Sequence, residues 1–276
     1  ALKASGCKAV LLPPTDNESW QLGLRHSYGK ECHPFISFTG DILKASRQPG
    51  FIAAEACYYA PSYFGPCLLP QYCLALHLIL DRVGLGEITV MNIADETNMQ
   101  ELGPAYMLRL ALGLYVIDRF FKWKTEIEPY ETNHRSVNRA YRQILADLEQ
   151  SLATGTLFKA LRRGVKTLAA VPLNDTRDLR PKVGIVGDIY TRITAHANNA
   201  LYNKLEHGGL EIWPSASFID VSFLSLEQLH LEYRRKGRPL LAALTKTLVP
   251  GLRLARTLVD RHFPAAIRTP QEGDYQ

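Results

Sequence analysis

The feature that most constrains this chain is a run of short apolar segments punctuated by Pro and Gly. Phe51 to Tyr59, bounded by Pro49-Gly50 and Pro61, reads as a core strand. An apolar helical stretch from about Leu69 to Val83 follows, and Ile88 to Ile93 reads as the next strand. Strand, helix, strand at that spacing predicts an α/β layer with parallel strands. Lys8 to Leu12, closed by Pro13-Pro14, predicts one more buried strand before it. Between them, Thr15 or Asp16 caps a helix carrying Trp20, Leu22 and Leu24, and Pro34 opens a second with Phe35, Ile36, Phe38, Ile42 and Leu43.

From Leu102 to about Leu168 the periodicity becomes that of long helices, with a break at Glu128-Pro129. Pro172 to Pro181 reads as a linker. A second α/β unit then begins with Lys182-Val-Gly-Ile-Val-Gly, continues through a helix expected over Ala197 to His207, and returns to a strand at Leu210 to Trp213. A basic helical tail covers Leu224 to His262. The fold expected is therefore α/β: two parallel-sheet subdomains of the Rossmann-like or flavodoxin-like kind, with a long helical insertion between them. The expected divisions are 1–100, 101–171 (helical), 172–222 and 223–276.

A chain of 276 residues with 46% hydrophobic and 21% charged residues has enough apolar material for an ordinary core. The net charge of +5 is mild and reads first as a solvated basic surface. No stretch approaches the ~20 apolar residues of a membrane span; Met107 to Phe121 is broken by Arg109, Asp118 and Arg119. The basic tail lacks the interleaved aromatics that single-stranded nucleic acid requires. The first residues lack the layout of a secretory signal, and a cytoplasmic protein is expected. The missing initial Met, and a start read as falling inside an element, point to a processed, tagged or excised chain.

Five cysteines stand at positions 7, 32, 57, 67 and 73. An odd number in a chain this apolar argues against a disulfide framework and leaves buried thiols, metal ligands or a nucleophile. Cys32 directly precedes the helix opened by Pro34, and Cys67 follows the Gly65-Pro66 turn before another helix. Amides at a helix start favour a thiolate, the form that ligates metal or attacks. Cys57 within its strand and Cys73 among helix leucines read as core, and Cys7 carries no pattern. Gly184 and Gly187 have neither dinucleotide nor phosphate-loop spacing and read as turn glycines. Gly187, with Asn198 and Asn199 at the next expected helix start, forms a candidate ligand-lining group. No acid–base pair or nucleophile constellation marks an independent enzyme.

Three blocks together, Gly29-Lys-Glu-Cys-His-Pro, Thr39-Gly-Asp-Ile-Leu-Lys and Gly65-Pro-Cys with Gln71-Tyr, resemble the C-terminal region of the large activase-related proteins of the 2-hydroxyacyl-CoA dehydratase system. Arg180-Pro-Lys-Val-Gly-Ile-Val-Gly-Asp-Ile-Tyr, with Ala197-Asn-Asn, resembles that region's second block. The resemblance implies an iron–sulfur cluster, with 4Fe-4S the type expected, on cysteine thiolates and a part in ATP-driven, low-potential electron transfer. Cys32 and Cys67 match its thiolate motifs, and Cys57 is the nearest candidate for a third ligand. An ATPase activase module or an acyl-CoA dehydratase subunit is the implied partner; a second copy of the chain is also compatible. The chain departs from the pattern at Leu68 and Pro70, where the family shows Arg and Gly, and it has no Cys-Met-Pro-Gly block and no ATPase module. Those departures leave open a cluster-free binding or scaffold role, with a cleft for a small anion or a partner protein.

Overall fold

A computed structural model describes residues 1–60, 67–92, 96–174, 180–215 and 218–264. The turn expected at 63–66 and the inner linker at 175–179 lie outside them. The chain forms two compact units. One comprises Ala9–Pro104 with Ile193–Asn199; the other comprises Ala1–Lys8, Ala105–Arg192 and the residues from Ala200 onward.

The first unit, called here the cysteine unit, opens with α1 (Asn17–His26) and α2 (His33–Ala45). Asp16 caps α1 by accepting from the Ser19 amide at 3.0 Å. Hydrogen bonding to Lys44 pulls the Asp16 carboxyl down to about 2. The helices pack antiparallel at backbone contact. A Cβ on Gly23 would lie 1.9 Å from the Ile36 carbonyl oxygen, and one on Gly40 would lie 1.7 Å from that of Ser19. No side chain fits at either position, so the crossing itself requires these two glycines.

β1 (Cys57–Ala60), α3 (Tyr72–Arg82) and β2 (Thr89–Asn92) then form a strand–helix–strand unit. β1 and β2 pair in parallel, Cys57 against Thr89 through Ala60 against Asn92, as the alternation predicts. Leu22, Phe35, Ile42 and Leu43 from α1 and α2 meet Tyr72, Leu76, Ile79 and Leu80 of α3 in one core. Each such side chain contributes roughly 1.5–3 kcal/mol by leaving water. The strand expected at Lys8 to Leu12 is absent: the segment has no regular secondary structure and pairs with no strand among the described residues, and Leu11 is 95% exposed. Apolar β-formers make a strand only where a partner edge receives their amides.

α4 (Glu96–Ile127) is broken at Gly103 (φ 75°, ψ 166°), and the chain passes between units at Pro104. The second unit holds the rest of α4, α5 (Ser136–Thr154) and α6 (Leu157–Ala169), with the expected break as a 3-10 turn at Glu128–Tyr130. Val116, Phe120, Trp123 and Ile127 meet Val137, Ile144 and Leu148 of α5 and Leu161 and Leu168 of α6. Their spacing of three, four and seven residues keeps each set on one helix face. The Glu131 carboxylate caps α5 from outside, accepting from the Val137 amide at 2.8 Å and the Ser136 hydroxyl at 3.1 Å.

β3 (Lys182–Ile185), α7 (Ile189–Ile193), α8 (Leu201–His207) and β4 (Glu211–Pro214) follow, with β3 and β4 parallel. The helix expected from Ala197 begins only at Leu201, because Asn199 (φ 53°) and Ala200 (φ 52°) are both left-handed. α9 (Phe218–Arg235) and α10 (Pro239–Asp260) close the chain as a helical pair. The architecture is α/β with two parallel sheets of two strands each among the described residues. No helix among those residues is long and apolar enough to cross a membrane.

Among the charged residues buried in the second unit are Arg119, Glu126, Glu128, Arg192 and Glu211. Arg119, 1% exposed, donates through Nε and Nη2 to the two carboxylate oxygens of Asp260, each at 2.7 Å, and the Tyr115 hydroxyl joins them at 2.7 Å. Nearby in sequence, the Glu126 carboxyl is buried and Oε1 accepts no hydrogen bond among the described residues; Lys122 stands 3.8 Å away. Burial raises Glu126 to about 7, and the charge of Glu211 adds to the rise. Glu211 is held by the Tyr130 hydroxyl at 2.6 Å and the Trp213 indole N–H at 2.5 Å.

Candidate functional site

The Gly29-Lys-Glu-Cys-His-Pro block is the loop and start of α2. Gly29 turns the chain with φ 80°. The Glu31 carboxylate folds back onto it, accepting from the Tyr28 amide at 2.8 Å and the Lys30 amide at 3.0 Å. Glu31 thus fixes the loop that presents Cys32. Pro34 occupies the first turn of α2, and the Cys32 carbonyl accepts from the Phe35 and Ile36 amides at 3.1 and 3.3 Å. His33 sits against Trp20, ring centroids 4.2 Å apart.

Cys32 is the N-cap residue of α2, but its sulfur does not receive the helix amides as the sequence suggests. Sγ instead pairs with the Tyr72 hydroxyl at the first turn of α3. Tyr72 is buried and set by edge-on contacts with Phe35 (centroids 5.1 Å) and Phe38 (6.2 Å). Cys32 and the Gln71-Tyr block are forty residues apart in sequence, and this pair joins them. Beside it, Phe35, Phe38 and Thr39 of α2, Tyr58 and Ala60 of β1, and Tyr72 and Leu76 of α3 line a small apolar pocket. Thr39 is fully buried, and its hydroxyl has no hydrogen-bond partner among the described residues. The pocket includes Ala60 at the carboxyl end of β1, where open parallel sheets receive ligands.

Cys67 lies on the surface, and the Leu69 amide donates to its sulfur at 3.4 Å. That amide belongs to the 3-10 turn Leu69–Gln71 leading into α3, so here the helix-start geometry is as expected. Cys57 is the first residue of β1 and is exposed, where the sequence suggests a buried strand thiol. It stands three residues before Ala60, about 10 Å away along an extended strand. Cys73 is half-buried on α3, and Cys7 is exposed.

A cubane takes about four thiolates. No three His, Cys, Asp or Glu side chains among the described residues come together as a set able to hold a metal ion. Cys32, Cys57 and Cys67 therefore do not form a closed ligand set there. Among the described residues these donors do not make up a cluster site.

Gly187, with φ 126°, bends the chain two residues after β3, in the turn the sequence predicts. Its carbonyl accepts from Arg192 Nε at 2.8 Å, while Arg192 Nη1 donates to the Ser215 carbonyl at 2.7 Å. This buried arginine ties the turn after β3 to the end of β4, which gives Gly187 a structural role. Asn198 and Asn199 belong to the cysteine unit, in a turn where their amides donate to the carbonyls of Thr194 (3.1 Å) and His196 (3.3 Å).

Sequence reasoning gave no role to Tyr72 or Thr39. Tyr72 is legible only as an aromatic at a helix start beside a quoted motif. Thr39 looks like any helix threonine until its surroundings are known. No protein-family model, no curated protein and no solved structure matches the chain.

Proposed function

We propose that this chain is an iron–sulfur-associated module of a system of the 2-hydroxyacyl-CoA dehydratase and activase kind. Cys32 and Cys67 are assigned as thiolates of a 4Fe-4S-type cluster whose other ligands come from outside the described residues. The observation that carries this reading is that each motif sulfur already has a hydrogen-bonding partner in the protein, Tyr72 for Cys32 and the Leu69 amide for Cys67. Donors aimed at thiolate sulfur are the means by which proteins orient such ligands and tune them. When bound, the cluster would supply low-potential electron transfer coupled to ATP hydrolysis in a partner ATPase or dehydratase subunit. The chain's own contribution is to hold Cys32 at the edge of an apolar core, with the Phe35, Phe38 and Tyr72 rings excluding water on that side. The two parallel sheets are read as the centres of two Rossmann-like subdomains, and a reducing, cytoplasmic setting fits the free thiols.

A second reading is favoured by the incomplete ligand set: the chain is a cluster-free binding or scaffold protein with a cleft for a small anion or a partner protein. Anaerobic incubation of the full chain with ferrous iron, sulfide and a thiol reductant, then iron and sulfide assay and an absorption spectrum, separates the two. Broad charge-transfer absorption near 400 nm, as iron–thiolate clusters give, with stoichiometric iron supports the first; a colourless protein after reconstitution overturns it.

A further inference from the structure

In the second unit the β3–β4 sheet meets α4 along a seam of charged side chains. Glu211 of β4 is buried, and both its oxygens are used: the Tyr130 hydroxyl donates to one at 2.6 Å and the Trp213 indole N–H to the other at 2.5 Å. The Trp213 ring in turn carries two cations, Lys122 Nζ of α4 at 5.3 Å from its centroid and Lys182 Nζ of β3 at 5.1 Å. Tyr130 lies in the turn after α4, so Glu211, Trp213 and the two lysines bind the sheet to that helix. A sheet of two strands has little stability of its own, and its order depends on what it packs against. The same strands hold the Gly187 turn through Arg192.

Glu126 stands one helical turn beyond Lys122 on the same face of α4. Lys122 is 3.8 Å away, too far for a hydrogen bond, and the buried Oε1 has no hydrogen-bond partner among the described residues. The charged groups acting on Glu126 are Lys122 and Arg119 of α4, Glu211 of β4 and Lys182 of β3. Arg119 is already committed to Asp260. Burial and the Glu211 charge oppose ionisation of Glu126, and together they outweigh the three cations, which places its carboxyl near 7. Opened to water, the carboxyl returns toward its ordinary value of 4.5. The closed seam therefore holds an extra proton between those limits, so opening becomes easier as pH rises toward 7 and levels off above it.

We propose that Glu126 makes the docking of the β3–β4 sheet on α4 sensitive to pH: with its proton the seam stays closed, and its ionisation against Glu211 eases a local opening that frees Trp213 while α4, α5 and α6 stay folded. The chain has three tryptophans, Trp20, Trp123 and Trp213, so nitrogen-15 NMR of the full chain gives three indole N–H signals to follow. Trp20→Phe and Trp213→Phe assign two of them and leave the third to Trp123. Solvent exchange of each is measured relative to free tryptophan at the same pH. Trp213 protection should fall by about tenfold or more between about pH 5.5 and about pH 8, through an opening that about 1 M urea barely accelerates. Trp20, in the cysteine unit, should show no such fall. Glu126→Gln should hold Trp213 protection constant over the range. Lys122→Met removes a cation that favours the charged carboxyl and should move the fall to higher pH. Trp213 exchange that rises with urea as steeply as global unfolding does means no separate opening and overturns the proposal. So does a fall retained in Glu126→Gln, or, should that variant not fold, a fall at unchanged pH in Lys122→Met.

Discussion

The two units solve the problem of close packing in opposite ways. The cysteine unit brings α1 and α2 together by deleting side chains at Gly23 and Gly40, so that backbone meets backbone. The helical unit packs mainly side chain on side chain and buries charge among them, with Arg119 locked to Asp260 and Glu126 beside Lys122 with no hydrogen bond to Oε1 among the described residues. The first arrangement tolerates no added atom but carries little electrostatic cost. The second is sensitive to the loss of single charges and to pH. What is rigid in the cysteine unit is therefore the crossing that places α2, and with it Cys32.

This contrast can be broken at the glycines first. Gly40→Ala puts a methyl 1.7 Å from a carbonyl oxygen and should cost more than about 4 kcal/mol, read as early loss of hydrogen-exchange protection in α1 and α2. Gly184→Ala, where an added Cβ meets nothing within 4 Å, is the control and should change stability by less than about 0.5 kcal/mol. Protection in α1 and α2 unchanged by Gly40→Ala would show that the crossing is looser than described.

The helical unit should respond most to its ion pair. Asp260→Ala leaves the Arg119 guanidinium buried without its carboxylate and should cost about 3–5 kcal/mol in urea unfolding. Replacing the pair together by Arg119→Met and Asp260→Leu should cost far less, since two apolar groups leave no orphaned charge.

Glu126 should give the smaller and pH-dependent effect. Its folded value near 7 lies above its ordinary 4.5, so the native state holds more protons between those limits. Stability from this group is full below pH 4.5 and declines as pH rises through about 7. Glu126→Gln should flatten that decline and stabilise the protein at pH 8 by up to about 2–3 kcal/mol. A parent and variant with parallel stability–pH curves would contradict the assignment.

Local order was readable in the sequence where a residue acts on its own neighbours. Asp16 caps α1, Pro34 opens α2, and the strand–helix–strand alternation at 51–93 correctly implies the parallel pairing of β1 with β2. What depends on a distant partner was not readable. Val10 and Leu11 have the composition of a strand but no edge to join. Gly40 lies inside a recognisable motif, yet its reason is the Ser19 carbonyl on another helix. Asn199 and Ala200 lie where a helix is expected, and their left-handed backbone delays it by a turn. The candidate site divides in the same way: Cys67 receives a helix-start amide as the sequence suggests, whereas Cys32 does not, and Tyr72 becomes its partner only when α3 packs against α2.

The central claim is that Cys32, set by Tyr72, and Cys67 are ligand thiols while Cys73 is not. Anaerobic iron–sulfide reconstitution of the parent, Cys32→Ser, Cys67→Ser and Cys73→Ser proteins in parallel tests it most directly. The account predicts that the first two variants lose bound iron and visible absorption, and that Cys73→Ser retains both. Equal iron content in all four proteins, or a loss confined to Cys73→Ser, would contradict it.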